Sequence, residues 1–137
     1  MTSIVFPGQG SQFLGMAKDF NDNFKIAKSK FEEIEDYTNI NIRKIIFQNE
    51  ENNLNLTQFT QICIFAASYV IFKTYSNEVD LEIEDTNVMM GHSLGEYTAL
   101  ACSKKISLSE CCLILKKRGE LMHTTIEPNQ TGMAALI

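Results

Sequence analysis

Apolar positions along this chain follow two rhythms. Short unbroken runs at Ile4-Val5-Phe6 and Val88-Met89-Met90, each cut off by proline or glycine, predict central strands of a parallel sheet, the first of them buried. Longer stretches recur every three to four residues and predict helices. One spans about Asn23 to Asp36, with Asn21-Asp22 as its N-cap, Phe24, Ala27, Phe31 and Ile34 inward, and Lys25, Lys28, Lys30, Glu32 and Glu33 outward. A short helix through Ile42, Ile45 and Ile46 leads to a polar loop, Gln48 to Asn53. Thr57 can cap a long helix, Gln58 to Tyr75, whose wide apolar face carries Ile62, Phe65, Ala66, Tyr69, Val70 and Phe72. The acidic stretch Glu78 to Asp85 reads as a solvated link to the second strand. Ser107-Leu108-Ser109-Glu110 is a capping box that opens a helix through Leu113, Ile114, Arg118, Leu121 and Met122. Lys116, Lys117 and His123 fall in its later turns, where cations suit the helix's own dipole. Pro128 to Gly132 reads as a turn, and Met133 to Ile137 as the start of another strand.

Composition narrows the function classes. With 137 residues, 45% of them hydrophobic, the chain can bury a core and makes one domain at most. A net charge of −5 and the lack of a basic cluster argue against nucleic-acid and anionic-membrane partners. No apolar run approaches membrane-spanning length, and the N-terminus lacks the basic segment and long apolar core of a signal peptide, so a cytoplasmic location is expected. Cys63, Cys102, Cys111 and Cys112 show no Cys-x-x-Cys spacing and read as buried thiols in a reducing compartment, with no metal site expected.

The candidate chemistry centres on Gly91-His92-Ser93-Leu94-Gly95. A strand runs into this Gly-x-Ser-x-Gly sequence, and the helix-forming run Glu96 to Ala101 leaves it, which is the context of a nucleophile elbow. Such a turn strains Ser93 and leaves room only for glycine at Gly91 and Gly95. A helix starting at Leu94 aims free N–H groups at the same point, where an oxyanion would form. The small polar loop Pro7 to Gln12 offers the amides of Gln9 and Gln12; from this stretch alone an ordinary strand-to-helix turn is the favoured reading. Gln61, a polar residue on the long apolar helix, reads either as a satisfied structural amide or as part of a site.

Taken together, Phe6-Pro7-Gly8-Gln9-Gly10-Ser11-Gln12, Thr60-Gln61, Gly91-His92-Ser93-Leu94-Gly95-Glu96-Tyr97 and Arg118-Gly119-x-x-Met122 resemble, in order and spacing, the malonyl-CoA:acyl-carrier-protein transacylase family. The resemblance implies an α/β fold, a large hydrolase-like subdomain with a parallel sheet flanked by helices that carries these residues, with a smaller ferredoxin-like subdomain inserted into it. Residues 1–127 would belong to the former, and residues 128–137 would be a turn and the first strand of the latter. It implies that Ser93 accepts a malonyl group from coenzyme A and passes it to the phosphopantetheine thiol of an acyl carrier protein, in fatty acid biosynthesis. Gln9 and the Leu94 N–H would form the oxyanion hole, Arg118 would bind the malonyl carboxylate, and Gln61 would line that pocket. Coenzyme A thioester and carrier protein are the implied partners, and no permanently bound cofactor is implied. The family's general-base histidine lies on a segment this chain does not contain, so the chain is expected to carry part of an active site. His92 is expected to point away from Ser93, and His123 to lie on a surface helix.

Two other readings share some of these features. Serine esterases and hydrolases have the same elbow, but take an oxyanion donor from a different loop and leave the Gln9 loop and Arg118 unexplained. An inactive truncated fragment is the non-enzymatic alternative.

Overall fold

The computed structural model describes residues 2–80 and 86–125. The elements, in order, are β1 (Thr2–Phe6), α1 (Lys18–Asn23), α2 (Lys25–Thr38), α3 (Ile42–Phe47), a 3-10 turn (Asn53–Asn55), α4 (Thr57–Glu78), β2 (Thr86–Gly91), α5 (Leu94–Cys102) and α6 (Leu108–Thr124). The turn and strand expected over residues 128–137 lie outside the described residues, as does most of the acidic link.

The two strands pair in parallel, with Ile4 opposite Met89, Val5 opposite Met90 and Phe6 opposite Gly91. This register puts Ile4, Phe6 and Met89 on the face that meets the core, where the Phe6 ring sits edge-on to Phe72 at 5.9 Å. The other face is bare: Val5 is 65% exposed, and Val88 and Met90 are exposed too. The first strand is therefore not buried on both sides as its apolar run predicted. A parallel strand needs cover above and below, and the described helices pack on one face only.

Helix α4 is the axis of the molecule. Every residue from Thr60 to Ala67 is buried, because α2, α5 and α6 pack around it. Its first turn is not capped by Thr57, which is already helical; Leu56 precedes it without a side-chain cap. The Thr57 hydroxyl is used elsewhere, by Gln9. The expected N-cap of α2 is also displaced. Asn21 and Asp22 belong to α1, where Asp22 pairs with Lys18 one turn back, and Phe24 joins the two helices in an extended conformation.

The capping box of α6 forms as predicted, with the Glu110 N–H donating to Ser107 Oγ and the Ser107 N–H donating to Glu110. The helix buries Cys111, Cys112, Leu115 and Gly119, and turns Leu113, Ile114, Leu121 and Met122 to solvent. Lys116 does not serve its own helix dipole. Its ammonium donates to the Thr38 carbonyl at 2.8 Å, satisfying the C-terminus of α2 and tying it to α6. All four cysteines are buried and free.

Candidate active site

Strand β2 delivers the chain to a turn that only a strained residue can complete. Ser93 has φ 55° and ψ −110°, a conformation that costs a non-glycine residue about 1–3 kcal/mol. Packing around the turn holds it there. The His92 N–H donates to the Phe6 carbonyl at 3.1 Å, and the Gly95 N–H donates to the His92 carbonyl at 2.9 Å. A Cβ on Gly91 would stand 1.9 Å from the Gly95 carbonyl carbon, and one on Gly95 would stand 2.4 Å from the Phe6 oxygen. Both glycines are thus required by close backbone approach, as the sequence predicted.

Ser93 immediately precedes α5 but does not cap it, so its hydroxyl is available to other groups. As the first helical residue, Leu94 has no intrahelical acceptor for its N–H. The N–H of Gln9 likewise meets no acceptor among the described residues. The Gln9 loop lies against the elbow, since a Cβ on Gly8 would fall 2.6 Å from the His92 carbonyl oxygen.

Arg118 reaches the serine from α6. Its Nη2 donates to Ser93 Oγ at 3.0 Å, and its Nη1 donates to Gln61 Oε1. The amide of Gln61, itself buried, donates onward to Gln9 Oε1 at 3.2 Å and to Met122 Sδ at 3.4 Å. Gln9 in turn donates to Thr57 Oγ1 at 3.3 Å. Four of the five site residues singled out in the sequence, Ser93, Arg118, Gln61 and Gln9, are therefore joined in one hydrogen-bonded chain, and Leu94 adjoins it. The guanidinium carbon of Arg118 also lies 5.8 Å from the centre of the Tyr97 ring.

The two arginines of the chain are in opposite electrostatic states. Arg43 is held by Glu35 through two donors and by Glu32, and these carboxylates push its pKa above the ordinary arginine value. Arg118 has no carboxylate partner among the described residues, only neutral oxygens. A planar donor fork without a counter-ion, beside a strained serine, can accept a carboxylate in two parallel hydrogen bonds. Neither histidine hydrogen-bonds Ser93 among the described residues. His92 stands over Gly8, and His123 is exposed at the end of α6.

Residues 4–137 match the family model described as the acyl transferase domain. The chain belongs to the acyl transferase family. Among its relatives, a malonyl CoA-acyl carrier protein transacylase of Bacillus subtilis is 36% identical over 135 residues, which are 98% of this chain and 33% of the relative. The solved malonyl CoA-acyl carrier protein transacylase of Clostridium perfringens superposes with a TM-score of 0.83 at 31% identity, covering 93% of this chain and 39% of the other. A malonyl-transacylase solved in complex with a type II polyketide acyl-carrier protein gives 0.83 at 34% identity, covering 92% and 40%. The chain thus spans well under half the length of these relatives.

Sequence reasoning missed two members of the candidate site. Tyr97 was readable in principle, because it follows Ser93 by one helical turn and so shares its face. Thr57 was not, since its partner Gln9 lies 48 positions away.

Proposed function

We propose that this chain supplies the nucleophile-bearing part of a malonyl-CoA:acyl-carrier-protein transacylase. The observation that carries the proposal is Arg118, without a carboxylate partner among the described residues, donating to Ser93 Oγ at 3.0 Å. A malonyl group attached at Ser93 ends in a carboxylate within reach of that guanidinium. Acetyl and longer acyl groups offer it nothing.

In the proposed reaction Ser93 Oγ attacks the thioester carbonyl of malonyl-CoA. The C–S bond breaks, coenzyme A leaves as its thiol, and malonate is held as a serine ester. The phosphopantetheine thiol of an acyl carrier protein then attacks that ester and restores the serine. Negative charge that develops on the carbonyl oxygen at each step meets the N–H groups of Leu94 and Gln9, donors that need no reorganisation. Arg118 holds the malonyl carboxylate, and Gln61 keeps the guanidinium turned toward Ser93.

Serine is a poor nucleophile without an adjacent base, and Arg118 has donors only and cannot take its proton. The general base is proposed to come from polypeptide beyond this chain, in keeping with the share of the relatives that the chain covers. The hydrolase-like architecture of the larger subdomain, a ferredoxin-like subdomain beginning near residue 128 and a reducing, cytoplasmic setting belong to the same proposal. Four free thiols suit that setting. No helix among the described residues is long and apolar enough to cross a membrane, and none of their His, Cys, Asp and Glu side chains group as a metal site.

The test is incubation with malonyl-CoA followed by intact-mass measurement, with and without the remaining length of a relative supplied in trans. A stable malonyl adduct on Ser93, discharged by a holo carrier protein and formed faster when the complement is present, is the expected result. Release of free malonate without transfer would indicate a hydrolase. No adduct even with the complement would overturn the proposal.

A further inference from the structure

The hydrogen-bonded chain at the site has a direction, and Arg118 sets it. A guanidinium only donates, so Gln61 must turn its oxygen toward Arg118 and its nitrogen toward Gln9. Gln9 must then accept with its oxygen and donate with its nitrogen, and the group that receives this last bond is the Thr57 hydroxyl. Thr57 is itself fixed. It is the first residue of α4, and Gly119, the neighbour of Arg118, packs so closely that a Cβ there would stand 3.1 Å from the Thr57 carbonyl oxygen. Arg118, Gln61, Gln9, Thr57 and Gly119 therefore close a ring. Four of its members sit on the packed helices α4 and α6, and Gln9 alone sits on a loop.

We propose that Thr57 is a positioning residue that clamps the Gln9 loop to α4, and so holds the Gln9 N–H beside the elbow where the oxyanion develops. The inference rests on the acyl-transfer function proposed above. The Gln9 side chain is exposed and would otherwise sample several rotamers. Gln61 and Thr57 hold its two amide atoms in place, and the loop backbone is carried with them. The ring also couples the two ends of the substrate. A carboxylate on Arg118 draws on the guanidinium that orients Gln61, and through Gln61 and Gln9 this reaches the donor at the reacting carbonyl.

The variants that test this are Thr57→Val, which keeps the shape and removes the acceptor, and Thr57→Ser, which keeps the hydroxyl. Two measurements are made on the full chain. Millisecond hydrogen exchange over residues 7–12 reports on the loop whether or not Ser93 reacts. Single-turnover malonylation of Ser93, followed by intact mass against malonyl-CoA concentration, separates the maximal rate from half-saturation. In Thr57→Val the loop is expected to exchange faster, and the maximal malonylation rate to fall about tenfold, the worth of one hydrogen bond. Half-saturation should stay within about twofold, since Arg118 still holds the carboxylate. Thr57→Ser should restore both. Unchanged loop exchange in Thr57→Val, or equal losses in Thr57→Ser, would overturn the role of Thr57. If the wild-type chain takes no malonyl group even with the complement present, the acyl-transfer function fails, while the exchange data still decide whether Thr57 clamps the loop.

Discussion

Arg118 on α6 and Ser93 just before α5 stand 25 positions apart, and the guanidinium Nη2 donates to the hydroxyl at 3.0 Å. The serine oxygen takes up one arm of a fork whose geometry suits a carboxylate. Under the proposed function, substrate and nucleophile would share this donor, and a bound malonyl carboxylate would free the hydroxyl from a bond that makes it less nucleophilic.

Arg118→Ala is expected to remove discrimination between substrates more than activity itself. A charged hydrogen bond is worth about 1.5–3 kcal/mol, so preference for malonyl-CoA over acetyl-CoA should fall roughly tenfold to a hundredfold. Arg118→Lys should recover part of this, because a point charge cannot reproduce the fork. Competition between the two thioesters, read by intact mass, checks the effect. Equal losses with both would make Arg118 a structural residue.

Acylation by malonyl-CoA should map to Ser93 alone and vanish in Ser93→Ala. The cysteines do not compete, because their thiolates are suppressed. Burial pushes the thiols of Cys63, Cys111 and Cys112 up to about 12, and raises that of Cys102 as well. Peptide mapping that placed label on any of the four would contradict this.

Gly95→Ala should destabilise the fold by about 1–3 kcal/mol, in the range of an overpacked core, since the added methyl meets the Phe6 and Pro7 carbonyls. Gly10→Ala makes the contrast. A Cβ there meets nothing within 4 Å, and the only penalty is the backbone strain of φ 107°. Urea denaturation of the two variants should separate them, with Gly95→Ala the less stable.

Stability should decline above about pH 9. A thiol whose pKa is higher folded than unfolded keeps its proton in the native state after the unfolded chain has lost it. The stabilisation is complete below the ordinary value of 9.0 and is lost as pH rises toward about 12. Each such thiol steepens the decline by about 1.4 kcal/mol per pH unit. Tyr69, also raised by burial, acts in the same sense at higher pH, whereas the half-buried ammonium of Lys73, pushed down by desolvation, opposes it. Urea midpoints between pH 8 and 10.5 should fall in the wild type and fall less in Cys63→Ala. A flat profile would show that the thiols are not desolvated.

What could be read from the sequence was whatever depends on neighbours. The elbow at Ser93 is specified by a strand, two glycines and a helix within a dozen residues, and the Ser107 capping box by four. Features set by distant partners were misread. Thr57 looks like a cap because threonine before a helix usually is one, yet its hydroxyl receives Gln9. Lys116 looks like a cation on its own dipole, but it reaches the end of α2. Val5 belongs to an apolar run that reads as buried, while its exposure depends on what covers the second face of the sheet. Among the site residues, Arg118 and Gln61 acquired meaning only through resemblance to a family, since neither has a local signature.

The pairing of β1 with β2 bears on the order in which the molecule assembles. The Thr2 N–H donates to Asn87 Oδ1 across 85 positions, and the ladder beside it is equally non-local. The intervening helices close their hydrogen bonds within a turn, whereas the ladder must first meet the entropy of closing that long loop. Topology therefore places strand pairing, and with it the strain at Ser93, among the late contacts of folding. A nascent or misfolded chain carries an ordinary, unreactive serine, and acylation of Ser93 would serve as a chemical reporter that the native topology has been reached.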